Sequence, residues 1–282
     1  MSKINSSDFL DRDSILLFLR EDIGSGDLTV KIVPEQVEAQ AKVITREDMI
    51  LCGREWFETV FHELNDEVVI GWLVEEGEFV KAGTQLCSLQ GSARALLTGE
   101  RTALNLLQTL SATATISQKY AKTVEGTGAR VLDTRKTIPG LRKAQKYAVA
   151  CGGCSNHRVG LYDGILIKEN HILAAGSILA AVSTAKVLGS GVPVEVEVES
   201  LDEAKQALSA GADILLLDNF DPEMLRKAVE LNKGQAKLEA SGNVSLETIR
   251  AIAETGVDFI SVGALTKNVE AVDLSMRIDF LD

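Results

Sequence analysis

Through the second half of the chain, short apolar runs alternate with amphipathic stretches. The apolar runs are GARVLDT at 128–134, GILIKEN at 164–170, PVEVEVES at 193–200, DILLLDNF at 213–220, AKLEASG at 236–242 and DFISVGA at 258–264. Between the later runs, residues 201–211, 222–232 and 245–256 place apolar side chains at helical spacing. Strand and helix taken in turn predict βα units with parallel strands. A polar or small residue closes each apolar run: Asp133, Lys168, Glu197, Asp218, Ser241 and Gly263. The steps from Glu197 to Asp218, Ser241 and Gly263 are 21, 23 and 22 residues, so one βα unit carries each position onto the next. A barrel brings such strand ends to one mouth, whereas an open doubly wound sheet sets them in a row. Convergence of these groups favours the barrel.

The first part of the chain reads differently. Residues 14–20 and 52–64 predict helices, Ala39 to Thr45 a strand, and 68–74, 78–80 and 84–91 short strands between glycines. This is a small α/β domain. Residues 98–124 predict one long helix, with Thr98 as its cap and Arg101 in its first turn, where the helix dipole disfavours a cation. Its small-residue stretch SATAT at 111–115 predicts close packing between domains or subunits. The expected division is an N-terminal α/β domain with its linking helix over 1–110, an α/β barrel over 111–270, and a tail over 271–282 that returns to the first domain.

Composition narrows the class. The formal net charge is −12 and no Lys/Arg run stands out, which argues against nucleic acid. Four cysteines in 282 residues do not make a disulfide framework. The opening MSKINSSDFLDRDS lacks an apolar export segment, and the apolar runs fall short of the roughly 20 residues a membrane helix needs. A cytoplasmic protein that does not enter membranes is expected.

Against that acidic background, several cations follow predicted strands. Asp133-Thr134-Arg135-Lys136 precedes a helix candidate, His157-Arg158 follows a loop with two glycines, and Lys168 lies in an apolar run. Arg presents a planar fork and Lys a compact charge, both suited to carboxylate or phosphate. With Arg101 they form a candidate cationic pocket. Glu195, Glu197 and Glu199 share one strand face, and Glu197 is preferred for its step to Asp218. Two carboxylates near a pyrophosphate suggest Mg²⁺; either one alternatively orients a ribose hydroxyl or stabilises positive charge at the sugar carbon. Ser241-Gly242-Asn243 and Ser261-Val262-Gly263 are short enough for backbone N–H groups to approach phosphate. Cys151 and Cys154 form a C-x-x-C without a second pair, which reads as structural, as do His62 and His171.

These segments resemble quinolinate phosphoribosyltransferase. The resemblance rests on Glu100-Arg101-Thr102-Ala103-Leu104-Asn105, Thr134 to Gly140, Asn156-His157-Arg158, Lys168-Glu169-Asn170-His171, Glu195 to Glu199, Leu217-Asp218-Asn219 and Ala240 to Asn243. It implies an N-terminal α/β sandwich-like domain plus an incomplete parallel α/β barrel of the type II phosphoribosyltransferases. It also implies a homodimer, in some members assembled into a hexamer, with Arg101 reaching the partner's site. By the same resemblance Arg135, His157, Arg158 and Lys168 surround the quinolinate carboxylates, and Lys136 contacts the bound substrates. Glu197 and Asp218 lie near ribose and Mg²⁺, the turns at 241–243 and 262–264 match the phosphate-side loops, and Thr134 and Ser261 count among the substrate-binding residues. Lys136, Glu197 and Asp218 are the implied catalytic residues. Cys154 stands where the family pattern has glycine. The implied reaction joins quinolinate to phosphoribosyl pyrophosphate with loss of CO₂. Rival readings are a phosphoribosyltransferase for another pyridine or azole acid, a phosphate-metabolite binding protein, and a barrel aldolase or isomerase using Lys168 as a Schiff base.

Overall fold

The computed structural model describes residues 5–189 and 191–281. Its strands are β1 Glu38–Thr45, β2 Met49–Ile50, β3 Val69–Trp72, β4 Phe79–Val80, β5 Gln85–Ser92, β6 Arg130–Leu132, β7 Ile165–Ile167, β8 Val194–Val198, β9 Ile214–Asp218, β10 Lys237–Ser241, β11 Phe259–Ser261 and β12 Leu274–Phe280. Its α-helices are α1 Arg12–Ile23, α2 Arg54–Leu64, α3 Ala93–Thr123, α4 Arg142–Cys151, α5 Glu169–Ala175, α6 Ile178–Leu188, α7 Leu201–Ser209, α8 Pro222–Asn232, α9 Ile249–Ala253 and α10 Ala264–Lys267.

The chain forms two compact units. One takes residues 1–118, 138–153 and 268–282, and the other 119–137 and 154–267. A cut at 110 would therefore pass through α3, and the α4 segment belongs to the first unit although it lies beyond that cut in sequence.

In the first unit an antiparallel sheet runs β12-β1-β5-β3. Strand β1 alternates exposed and buried positions, so Ala39, Ala41 and Val43 enter the core while Glu38, Gln40 and Lys42 face out. Strand β12 pairs with β1 from Ala39–Phe280 to Thr45–Leu274. Helix α2 buries Trp56, Phe57, Val60 and Phe61 on one face.

Helix α3 starts at Ala93, directly after β5, so Thr98 is not its cap and Arg101 is not in its first turn. The residues 93–97, ARALL, are good helix formers and continue the helix without a break. Thr98 instead donates its hydroxyl hydrogen to Asp27 Oδ2 at 3.0 Å. The dipole argument for an anionic partner of Arg101 falls with the cap. The SATAT stretch packs inside the first unit: Ser111 Oγ accepts from Cys52 N at 3.1 Å and Thr115 Oγ1 from Ile50 N at 2.8 Å. Small side chains let the strand-to-helix segment 50–52 lie against the helix.

In the second unit six parallel strands run β6-β11-β10-β9-β8-β7. Strands β7 to β11 follow in sequence, and β6 adds beside β11. Strands β6 and β7 are the two edges, which makes this an incomplete α/β barrel. Strand β8 shows how the sequence builds it: Val194, Val196 and Val198 are fully buried on one face, leaving Glu195 and Glu197 on the other.

Two expected elements change. The run at 164–170 stops being a strand at Ile167; Lys168 caps α5 instead, with its N–H donated to His171 Nδ1 at 2.9 Å. Helices α5 and α6 stand where no helix was expected; Ser177 caps α6 by accepting from Ala180 N at 3.1 Å. The helix expected over 245–256 shortens to α9, because Ser245 and Thr248 hydrogen-bond each other in a turn before it.

Candidate active site

The C-terminal ends of the parallel strands carry the charged groups. After β6, the buried Asp133 carboxylate accepts from His157 N and from Asn156 Nδ2, both at 2.8 Å. An ion at the strand end thus fixes the loop that carries His157 and Arg158. Arg158 Nη1 donates to Gly164 O at 2.9 Å. Burial, reinforced by the neighbouring Arg135 guanidinium, pulls Arg158 below the usual arginine range. Arg135 Nε is buried and has no hydrogen-bond partner among the described residues. Two guanidiniums that repel each other, one with a donor unspent, suit a carboxylate.

His157 faces the other way. Its Nδ1 accepts the Arg158 N–H at 2.7 Å, so the ring proton sits on Nε2. Nε2 lies 3.0 Å from Glu195 Oε2 and 3.7 Å from Glu239 Oε2. These three residues have the spacing of a metal site, but a protonated Nε2 offers a metal no lone pair. Glu239 is 1% exposed, and burial with the adjacent Glu195 carboxylate pushes it up to about 8. Sequence reasoning placed Glu195 on the right face but preferred Glu197, and it missed Glu239. The signal was there: Glu239 lies two residues before Ser241 on the same strand face.

Next along the sheet, Lys168 Nζ donates to Glu197 Oε2. Lys168 directly follows β7 and Glu197 lies on β8, and the two strands pair with Ile167 opposite Val196, which brings lysine and carboxylate together. On β9, Asp218 lies opposite Ser241 of β10. Asn219 and Asn243 adopt left-handed backbone around this turn, at φ 56° and 49°. Gly242 lies so close to Asn219 that a Cβ would come within 2.1 Å of its Oδ1. Glycine is required there by close approach.

The last group joins β6 and β11. Lys136 N donates to Thr134 Oγ1 at 3.0 Å, and Thr266 Oγ1 donates to Lys136 O at 2.8 Å. A Cβ on Gly263 would lie 3.1 Å from Lys136 Cδ and 3.6 Å from Thr134 Oγ1. Val262 N bonds Leu132 O at 2.8 Å, and Ser261 lies opposite Leu132. Thr134, Lys136 and the 261–263 turn therefore adjoin. Arg101 is exposed on α3 in the first unit, where it lines a pocket with Phe18, Glu21, Asp22, Thr102 and Asn105. No single helix among the described residues is long and apolar enough to cross a membrane.

Parallel βα units that gather cations and carboxylates at their strand ends define an α/β-barrel enzyme. The family description "Quinolinate phosphoribosyl transferase, N-terminal domain" matches residues 27–111, and "Quinolinate phosphoribosyl transferase, C-terminal domain" matches 113–277. This chain belongs to the quinolinate phosphoribosyl transferase family. It is 40% identical over 262 residues to the probable nicotinate-nucleotide pyrophosphorylase [carboxylating] of Bacillus subtilis, covering 93% of this chain and 91% of that one. Among solved structures, the nicotinate-nucleotide pyrophosphorylase of Francisella tularensis superposes with a TM-score of 0.91 at 48% identity, covering 96% of this chain and 98% of that one. NadC of Streptococcus pyogenes gives 0.93 at 36% identity with both chains covered completely.

Proposed function

We propose that this chain transfers the phosphoribosyl group of phosphoribosyl pyrophosphate to the ring nitrogen of quinolinate and releases CO₂. The products are nicotinate mononucleotide and pyrophosphate, and the reaction belongs to NAD synthesis. The observation that carries the reading is the Arg135–Arg158 pair beside His157, with the buried Arg135 Nε still without a partner. Quinolinate carries two carboxylates, and paired guanidiniums bind such groups by charge-assisted forks. Lys168 adds a compact charge next to Glu197. His157 spends both ring nitrogens within the protein and holds the Arg158 backbone in place.

The reaction then needs little from the protein beyond placement and charge. Arg135, Arg158 and Lys168 orient the ring so that its nitrogen faces the anomeric carbon. Glu197 and Asp218 stabilise the electron-poor ribosyl centre as pyrophosphate leaves. The carboxylate beside the ring nitrogen departs as CO₂, and its electrons pass to the quaternised nitrogen. Lys136 and the turns at 241–243 and 261–263, with Thr134, bind phosphate. Glu197 and Asp218 offer hard oxygen donors near the ends of adjacent strands, which fits Mg²⁺. That ion, when bound, neutralises the pyrophosphate charge. The working form is a homodimer, or a hexamer built from it, in which Arg101 completes the partner's site.

The test is an assay with quinolinate, phosphoribosyl pyrophosphate and Mg²⁺ that follows CO₂ and pyrophosphate together. Equal release of both is expected. Pyrophosphate release with nicotinate but not quinolinate would overturn the substrate assignment.

A further inference from the structure

A second cluster of reactive groups lies wholly in the first unit and plays no part in the barrel chemistry. Cys52 precedes α2, Glu76 sits in the turn between β3 and β4, and Cys151 ends α4. Their two sulfurs and a carboxylate oxygen all lie within 4.8 Å of one another. Cys52 is fully buried, whereas Cys151 is partly exposed. The Cys52 sulfur lies beside both the Glu76 carboxylate and the Cys151 sulfur. The Glu76 carboxylate also takes Gly53 N at 2.7 Å, Arg54 N at 3.2 Å and the Tyr147 hydroxyl.

Three thiol and carboxylate groups this close suit either a thiophilic metal or thiol oxidation. The donor set decides between them. Gly53, Arg54 and Tyr147 already donate to Glu76, which leaves about one of its four lone-pair positions toward the Cys52 sulfur. Two thiols and one largely occupied carboxylate fall short of the four ligands of a closed zinc site, whereas a thiol pair beside a carboxylate base suits oxidation. We propose that Cys52 and Cys151 are a hydroperoxide-reactive dithiol, with Cys151 the thiol oxidised first, Cys52 the resolving thiol and Glu76 the base that takes the Cys52 proton.

The chemistry balances. The Cys151 thiolate attacks a peroxide oxygen, the O–O bond breaks, and the alkoxide or hydroxide leaves with a proton as alcohol or water. Cys151 becomes a sulfenic acid. Cys52 passes its proton to Glu76 and attacks the Cys151 sulfur, and the displaced hydroxide takes the proton from Glu76 and leaves as water. Two thiols lose two electrons in total, and the hydroperoxide gains them.

The physical environment assigns the order. Burial, with Cys151 and Glu76 beside it, pushes the Cys52 thiol well above the usual range, so Cys52 stays protonated until Glu76 accepts its proton. Burial likewise raises Glu76, which makes it a stronger base. The C-x-x-C spacing suggests Cys154 as the partner of Cys151, but Cys154 is buried and its thiol is pushed up to about 12 by burial and Asp133. Cys87, buried and pushed up to about 12, is an internal control.

The experiment treats the reduced full-length protein with hydrogen peroxide, alkylates the remaining thiols after unfolding and maps peptides by mass spectrometry. A Cys52–Cys151 linked peptide is expected, with Cys87 alkylated. In Cys52→Ser, a sulfenic acid at Cys151 should be trapped by dimedone. Glu76→Gln should leave the first oxidation intact and slow disulfide closure at least tenfold. Overoxidised Cys151 beside reduced Cys52, a Cys151–Cys154 link, or zinc bound stoichiometrically and protecting both thiols would each overturn the proposal. The wild-type and Cys52→Ser results decide the matter even if Glu76→Gln does not fold.

Discussion

Arg135 and Lys168 show what a residue contributes once its neighbours are known. Each is a cation at a strand end, but Arg135 keeps a buried donor unspent while Lys168 is held by Glu197. Replacing either by alanine should lower quinolinate turnover more than tenfold, a loss above about 1.4 kcal/mol of transition-state stabilisation. Steady-state kinetics near wild type for both variants would remove them from the site. Glu239 makes a separate prediction. Burial and the Glu195 carboxylate push it up to about 8 from the usual carboxylate range near 4.5, so the folded state holds an extra proton between these pH values. Stability from this group is full below the lower value and lost as pH rises through the upper one. Thermal melts from pH 5 to 8.5 should show wild type losing stability that Glu239→Gln retains; parallel curves would refute the assignment. Strand periodicity made Glu195 and Glu197 legible as one face. It gave no depth along the barrel, so it did not reveal that Glu195 meets His157 and Glu239 from other segments.

At the scale of elements, the parallel strands and most of their helices were legible because apolar runs and amphipathic periods alternate cleanly. Helix α5 was not, since it is too short to show a period and its polar residues all stand in its first turn, and α6 was not because its sequence is mostly apolar or small. The start of α3 was misplaced because the helix runs straight on from β5: Ser92, a residue suited to capping, is still the last residue of the strand, and Thr98 offers a second such residue six positions on. Packing between elements makes its own test at Gly152, after α4. A Cβ there would lie 2.3 Å from Ala114 O and 2.6 Å from Ser117 Cβ on α3. Gly152→Ala should therefore cost about 1–3 kcal/mol of stability through overpacking, read by urea unfolding. An unchanged midpoint would mean that α3 and α4 part easily.

For the whole molecule, the proposed shared site predicts complementation. An Arg101→Ala chain and a Lys136→Ala chain, each inactive alone, should recover part of the activity when their subunits are exchanged, because one site in the heterodimer then holds both native residues. No recovery after exchange verified by mass spectrometry would confine each site to a single chain. The two units also divide the reactive groups. The proposed peroxide-reactive thiols lie in the first, and the cations and acids of the barrel in the second.

By itself the sequence determined that parallel βα units follow a small α/β domain, and which residues end their strands, because hydrophobic periodicity and strand-end polarity are local properties. Only the tertiary structure decided which of those groups meet. Arg135 and Arg158 adjoin, and His157 turns from them toward a buried acid pair, because strand pairing and the Asp133 anchor bring distant segments together. The same holds for the regrouping of 138–153 with the first unit, which sets Cys151 beside Cys52. Contacts of that kind depend on closure of the chain in space, and no periodicity records them.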